Sequence, residues 1–182
     1  DWDEGPCLDG APNETGSCGP YVQSRRGALY EQALHKLGAR VYPCYCTRKE
    51  LRDQLHAMAG APHVDDRGAP YPGTCRHLTL EERARREAAG RRPCLRLNTE
   101  GLAGIAFVDA LCGPQTFSLA ECGGDFALRR SDGVWAYQLA VVVDDALMGI
   151  NQVVRGEDIL VSTPRQLALF DLLGWPRPAY AH

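Results

Sequence analysis

The residues that decide the fold are 130–182, RSDGVWAYQLAVVVDDALMGINQVVRGEDILVSTPRQLALFDLLGWPRPAYAH. An apolar run, Leu139 to Val143, ends in two adjacent acids, Asp144 and Asp145. A second run of β type, Asn151 to Val154, delivers Arg155 into Gly156-Glu157-Asp158. Thr163-Pro164 then caps and starts a helix through Leu173 that Gly174 closes, with proline just inside the start and glycine just past the end. An arginine, several carboxylates and Tyr137 thus stand at the ends of apolar elements, where α/β folds gather ligand-binding groups. The plainer alternative is a buried strand with solvated acids at its tip, since structural ion pairs also cluster polar groups.

Outward from this stretch the chain alternates between helical and extended patterns, which predicts an α/β fold. Apolar Ala28, Leu29, Ala33, Leu34 and Leu37 follow helical spacing, with Ser24 as the expected cap and Gly38 as the stop. Val41 to Cys46 reads as a strand. Thr47 with Glu50, and later Thr79 with Glu82, form capping boxes that open helices to about Ala57 and Gly90. Between them Met58 to Arg76 is rich in glycine and proline and carries no periodicity, so it reads as a loop or insertion. Cys94–Asn98, Gly104–Asp109, Phe126–Arg129 and Gln152–Arg155 read as strands. Trp135–Asp145 is ambiguous: its β-branched residues favour a strand, its length a helix.

Composition bounds function loosely. The 182 residues suffice for one domain with a real core, and the formal net charge of −3 gives no global nucleic-acid signal. Lys36 and Lys49 are the only lysines. Arginine is dense at Arg83, Arg85, Arg86, Arg91, Arg92 and Arg96, either a phosphate-touching run or a solvated helix face interleaved with Glu81, Glu82 and Glu87. No segment reads as membrane-spanning or as a signal peptide, so a soluble cytoplasmic protein is expected.

Eight cysteines do not form a disulfide framework here, because the chain is neither short nor secretory in pattern. Cys7, Cys18, Cys94, Cys112 and Cys122 read as reduced thiols. Cys44 and Cys46 form a chelate pair, and Cys75 follows across the irregular loop with Tyr71 and His77 beside it. Zinc takes four N, S or O donors in a tetrahedron, and a loop so poor in apolar residues gains folding free energy from such a clamp. Three free thiols beside a loop are the alternative.

YQLAVVVDD, VVRGED, STPRQ and LGWPRPAYAH resemble the class I glutamyl-tRNA synthetase family, most closely its truncated glutamyl-Q tRNA(Asp) branch. The likeness runs from DWDEGP at the start to AYAH at the end. It implies part of a class I Rossmann-type catalytic domain, in residues 1–43 and 120–182, interrupted by a zinc-bearing insertion over 44–119. It implies ATP-dependent activation of L-glutamate and transfer to queuosine in the anticodon loop of tRNA(Asp), with zinc as resident metal and ATP as co-substrate. Tyr137 and Arg155 would hold glutamate, the guanidinium as a bidentate fork on a carboxylate. Asp158, or else Glu157, would meet its ammonium group; Asp144 and Asp145 could face the amine, tRNA or neighbouring backbone. The family's C-x-C…Y-x-x-x-C pattern falls on Cys44, Cys46, Tyr71 and Cys75. Its C-x-C…C-x-H variant puts His77 in the fourth place, where imidazole is chemically easier than a phenol that must lose a proton.

The family's two ATP signature segments would precede Asp1 and follow His182, so no catalytic residue is assigned within the chain and the 182 residues alone are expected to be inactive. Two other readings remain: a catalytic fragment of a glutamyl-tRNA synthetase that charges tRNA(Glu), and a non-catalytic zinc- and RNA-binding module on the same fold.

Overall fold

The computed structural model describes Gly5, residues 16–57 and residues 71–182. The irregular stretch expected from Met58 lies outside the described residues as far as residue 70, as does Cys7. Five helices are described: α1 (Gly27–Leu37), α2 (Arg48–Ala57), α3 (Leu80–Ala88), α4 (Tyr137–Leu147) and α5 (Thr163–Leu173). The strands are β1 (Val41–Cys44), β2 (Cys94–Leu97), β3 (Ile105–Asp109), β4 (Gly113–Phe117), β5 (Ala127–Arg129), β6 (Gln152–Val154) and β7 (Ala179–Ala181). Among the described residues no helix is long and apolar enough to cross a membrane.

Both capping boxes form. Glu50 N–H meets the Thr47 hydroxyl at 3.1 Å while the Glu50 carboxylate accepts Thr47 N–H at 2.7 Å, and Thr79 and Glu82 repeat the exchange. Two orphan donors at each helix start are thereby satisfied. Helix α5 carries proline in its first turn and ends on Gly174, whose φ of 70° is the left-handed conformation that glycine adopts at least cost. Ser24, expected to cap α1, lies instead in a 3-10 turn over Gln23–Arg25, and Arg26 precedes the helix with no side-chain cap bond. Tertiary bonds fix that entry: the buried Arg26 guanidinium donates to the Cys18 and Pro20 carbonyls at 3.2 and 2.6 Å.

The strands make two sheets. The first, in order β1-β2-β5, is antiparallel; the second runs β4-β3-β7-β6. In the second sheet β6 and β7 pair in parallel over Gln152–Val154 and Ala179–Ala181, and β7 pairs in parallel with β3 at Tyr180 and Asp109. Only β4 runs antiparallel, as a hairpin partner of β3. Parallel neighbours need a long crossover, and β6–α5–β7 supplies one. Sheet membership does not follow chain order, since β3 and β4 sit in the sheet of β6 and β7 while β1 sits with β2 and β5.

The helices α1, α4 and α5 hold the two sheets together. Tyr30, Leu34 and Leu37 of α1 pack with Leu139, Val142 and Val143 of α4, Leu169 and Phe170 of α5, and Leu97 and Leu128 of the first sheet. On its other side α5 sets Leu167 and Ala168 against Ile105 and Tyr180 of the second sheet. Thr163 through Phe170 are all buried, so α5 is the central helix rather than an amphipathic cover. Each buried Leu or Phe here is worth about 1.5–3 kcal/mol. The ambiguous Trp135–Asp145 stretch resolves as helix because Leu139, Ala140, Val142 and Val143 all face this core.

One outcome matters most for function. Asp109 ends β3, Arg155 follows β6 and His182 follows β7. All three stand at the carboxyl ends of adjacent parallel strands, where open α/β sheets place their ligands.

Candidate active site and metal centre

Arg155 is held from three sides. Its Nε donates to His182 Nε2 at 3.0 Å, and its Nη2 donates to Thr163 Oγ1 at 2.7 Å and to Gln166 Oε1 at 2.9 Å. The guanidinium also lies over the Tyr180 ring, 5.2 Å from its centroid. Thr163 and Gln166 are one turn apart at the start of α5, so the buried helix presents both to the same group. Gln166 in turn donates to Gln138 Oε1 at 3.0 Å, and Gln138 donates to Ser162 Oγ at 3.2 Å. Every hydrogen on Nε and Nη2 is therefore committed. The fork expected from the sequence is closed on that side, and Nη1 alone has no hydrogen-bond partner among the described residues.

Tyr137, the first residue of α4, is 53% exposed. The buried Tyr180 hydroxyl has no hydrogen-bond partner among the described residues. Burial pushes its pKa up to about 12, and the groups that act on it are Arg155, Asp145, Tyr137 and Arg177. A buried hydroxyl with no partner, under a guanidinium that keeps one free nitrogen, is what an unfilled polar site looks like.

The adjacent acids have different environments. Asp144 accepts Arg26 Nε at 2.6 Å and the Tyr30 hydroxyl at 2.9 Å, an ion pair in which Arg26 is 1% exposed. Among the described residues Asp145 has no such ion pair; burial raises its pKa to about 6, against the pull of the Arg155 charge. Asp158 and Glu157 are both exposed on the 3-10 turn after β6, and the Asp158 carboxylate folds back against Gly156. Among the described residues neither makes a hydrogen bond or ion pair with Arg155. A β-carbon on Gly156 would stand 2.5 Å from Asp158 Oδ1, so any larger residue there would turn this exposed carboxylate aside.

The second constellation lies at the end of β1. The Sγ atoms of Cys44, Cys46 and Cys75 all lie within 4.8 Å of one another, and those of Cys46 and Cys75 are 3.5 Å apart. A tetrahedral zinc with bonds of about 2.3 Å sets its sulfurs roughly 3.8 Å apart, so the cluster has the size such an ion needs. The Tyr71 hydroxyl joins it, accepting from Cys44 Sγ at 3.3 Å and from Cys75 N–H at 2.9 Å. His77 does not: it is 78% exposed and its ring lies 3.8 Å from the Glu100 carboxylate. Hydrogen bonds from Cys46 and Cys75 hold the Cys44 thiol far below the ordinary thiol range, while the same bonds push Cys46 up. One thiolate, on Cys44, is thus favoured within the cluster, and thiolate is the form that ligates a metal. Arg96, stacked 4.1 Å over the Tyr71 ring, adds positive charge beside it.

Asp125 ties this corner to the rest. Its buried carboxylate accepts Tyr42 Oη at 2.6 Å, Arg76 Nε at 2.9 Å and both donors of Thr99 at 2.8 and 2.9 Å. Burial alone would raise its pKa, but these bonds hold it below the usual carboxylate range. The other described cysteines, Cys18, Cys94, Cys112 and Cys122, are free, as expected. The sequence suggests no role for Gln166 or His182, although STPRQ and AYAH contain them, and marks Asp109 only as a strand end; Thr163 is expected to cap α5, but Ser162 takes the cap position and Thr163 opens the helix with its hydroxyl on Arg155 and His182. Asp109 and His182 lie 73 residues apart in the chain, and only the strand-end register brings them together.

A parallel sheet with polar groups at its carboxyl ends, and a thiol cluster on a neighbouring antiparallel sheet, define a class. The model of the tRNA synthetases class I (E and Q), catalytic domain, matches residues 8–182, and the chain belongs to this family of ligases. Its relatives include the glutamyl-Q tRNA(Asp) synthetase of Nitratidesulfovibrio vulgaris, 60% identical over 100% of this chain and 53% of that protein. Glutamate–tRNA ligase 2 of Alkalilimnicola ehrlichii is 46% identical over 100% of this chain and 36% of that protein. The crystal structure of a glutamate–tRNA synthetase from Elizabethkingia anophelis superposes with a TM-score of 0.76 at 25% identity, over 92% of this chain and 35% of that one. The chain thus spans about half the length of the glutamyl-Q relatives it matches, and its fold is that of a class I synthetase catalytic domain with mixed α/β sheets.

Proposed function

We propose that the protein activates L-glutamate with ATP and transfers it to queuosine in the anticodon loop of tRNA(Asp). The names of relatives at 60% and 54% identity support this choice of acceptor. The observation that carries the glutamate part is Arg155, anchored by His182, Thr163 and Gln166, with Nη1 left open and the guanidinium lying over Tyr180, whose buried hydroxyl has no partner among the described residues. A substrate carboxylate meets Nη1 in a charge-assisted bond, and the Tyr137 phenol fixes a second polar end. Asp145 faces the ammonium group from inside the site, and Asp158 is its more distant alternative.

The step itself needs no protein nucleophile. A glutamate carboxylate oxygen attacks the α-phosphorus of ATP and pyrophosphate leaves; a nucleoside hydroxyl then attacks the acyl carbon and AMP leaves. The residues described here bind and orient the amino acid, which is where positioning lowers the barrier.

Zinc belongs to the same proposal, with Cys44, Cys46, Cys75 and Tyr71 as ligands. When bound it supplies a structural cross-link between β1 and the turn that carries Cys75. The division into catalytic residues 1–43, an insertion over 44–119 and catalytic residues 120–182 is likewise proposed, with β3 and β4 the part of the insertion hydrogen-bonded into the parallel sheet. Cytoplasmic residence follows from a tRNA substrate.

A second acceptor, tRNA(Glu), has its own support in the 46% identical glutamate–tRNA ligase. Incubating the full-length protein with labelled glutamate, ATP and either queuosine-containing tRNA(Asp) or tRNA(Glu) separates the two. Label on tRNA(Asp), absent when queuosine is replaced by guanosine, is the expected outcome. Label on tRNA(Glu) alone would overturn the queuosine assignment, and label on neither would favour the non-catalytic RNA-binding module.

A further inference from the structure

The Asp109–His182 pair has the arrangement of a nucleophile's base and its orienting acid, yet its third member is fully buried. His182 Nδ1 lies 2.6 Å from Asp109 Oδ2, and Nε2 lies 3.0 Å from Thr163 Oγ1. Thr163, however, is 0% exposed, so no substrate reaches its hydroxyl. The same Nε2 also accepts Arg155 Nε–H at 3.0 Å. A nucleophilic triad needs an accessible hydroxyl. What this pair touches instead is the guanidinium of the glutamate site.

We propose that Asp109 and His182 are positioning residues that fix the rotation of Arg155 by holding His182 in one tautomer. This rests on the reading of Arg155 as the glutamate-binding group. Arg155 Nε–H can only donate, so the nitrogen that faces it must carry a free lone pair. His182 Nε2 is therefore unprotonated, and the ring proton sits on Nδ1. Asp109 enforces that choice by accepting Nδ1–H, since the partner of one ring nitrogen sets the state of the other.

The carboxylate is itself fixed. Its Oδ1 accepts the N–H groups of Leu111 at 3.0 Å, Cys112 at 2.9 Å and His182 at 3.2 Å. Burial pushes this group up, but those bonds and the one from the imidazole outweigh it and keep it ionised. An ionised acceptor cannot give the proton to the wrong side of the ring.

The geometry gives the device its effect. Asp109, Arg155 and His182 follow three neighbouring strands whose register is set by Asp109 against Tyr180 and Val154 against Ala181. With Nε and Nη2 tied down, only Nη1 is left to meet a carboxylate, and it cannot swing away. In the wrong tautomer two donors, Nε2–H of His182 and Nε–H of Arg155, would face each other and turn the guanidinium out of the site. Preorganisation of this kind lowers the cost of binding without adding a contact to the ligand.

The test has two readouts. Nitrogen-15 NMR of the histidine side chains in the wild-type protein at neutral pH should show His182 protonated at Nδ1 and bare at Nε2. In Asp109→Asn that fixed state should be lost. Glutamate KM and kcat in ATP–pyrophosphate exchange by the full-length protein form the second readout. His182→Phe keeps a ring but loses the acceptor, and should raise glutamate KM about tenfold with little change in kcat, the worth of roughly one hydrogen bond to a charged group. His182→Gln restores an acceptor at the Nε2 position and should recover most of the loss. A His182 protonated on Nε2 would overturn the proposal, as would an unchanged KM in His182→Phe when Arg155→Lys raises it. If neither substitution moves KM, the assignment of Arg155 to glutamate is what fails, and the tautomer still decides whether the pair holds the guanidinium.

Discussion

Replacing Asp144 with alanine should destabilise the protein far more than the same change at Asp145, although the two acids are adjacent and chemically identical. Asp144 neutralises Arg26, whose side chain is 1% exposed and whose Nη2 already lacks a partner. It also accepts the Tyr30 hydroxyl from the 0% exposed Tyr30. Removing one member of a buried ion pair costs about 3–5 kcal/mol, because the remaining charge stays buried without compensation. The Asp144 carboxylate is itself 22% exposed, so water reaches its place and the lower end, about 3 kcal/mol, applies. For a chain of this size that corresponds to a fall in Tm of roughly 6–12 °C. Urea unfolding and thermal melting at neutral pH measure it directly. The double change Arg26→Met with Asp144→Ala should recover part of the loss, since no charge is then left unpaired. Loss of less than about 0.5 kcal/mol in Asp144→Ala, or equal losses at Asp144 and Asp145, would refute the assignment of Asp144 to the core ion pair.

Asp145→Asn should act in the opposite sense. The folded protein holds this carboxyl at about 6 against an ordinary 3.8, so it binds its proton more tightly than the unfolded chain does, and stability falls as pH rises from about 4 to about 6 and stays lowered above that. The substitution should flatten that fall and raise neutral-pH stability by on the order of 1–3 kcal/mol, read from urea midpoints across the pH range; an unchanged pH profile would contradict it. Metal analysis of the purified protein should find close to one zinc per chain, lost in Cys46→Ser. Tyr71→Phe should weaken its retention against a chelator while His77→Ala should not, and the reverse order would make the exposed imidazole the fourth ligand. Tyr137→Phe should raise the glutamate KM by only the worth of one neutral hydrogen bond, about 0.5–1.5 kcal/mol, and a larger rise would give the phenol more than an orienting role.

Much of the architecture was legible because it is written locally. The capping boxes at Thr47 and Thr79, the proline and glycine bounding α5, and the apolar periodicity of α1 depend on residues within a turn or two of each other. What escaped was non-local. The three residues of β7 carry no strand pattern of their own, and they are extended because β3 and β6 pair with them in parallel. β4 contains Pro114, which argues against a central strand but is tolerated because β4 is the sheet edge. The three valines of α4 favour a strand by propensity, and burial of one helical face overrides them. In the site, Tyr137 and Arg155 were identifiable from motif likeness, whereas Asp109 reads locally as a turn acid and meets His182 across 73 residues of chain. The closed edge of Arg155 was equally invisible, because its partners are supplied by α5 and the chain beyond β7.

The central claim is that Arg155 holds the substrate's carboxylate, and the direct test is the glutamate kcat/KM of Arg155→Lys in the full-length protein. Lysine keeps the charge but cannot keep the anchors to His182, Thr163 and Gln166 while also reaching the substrate. Loss of one charge-assisted bond is worth about 1.5–3 kcal/mol, so kcat/KM should fall roughly ten- to a hundredfold. A variant that is less stable yet shows unchanged glutamate kinetics would make Arg155 a structural tie between β6 and α5, and would put the substrate site elsewhere.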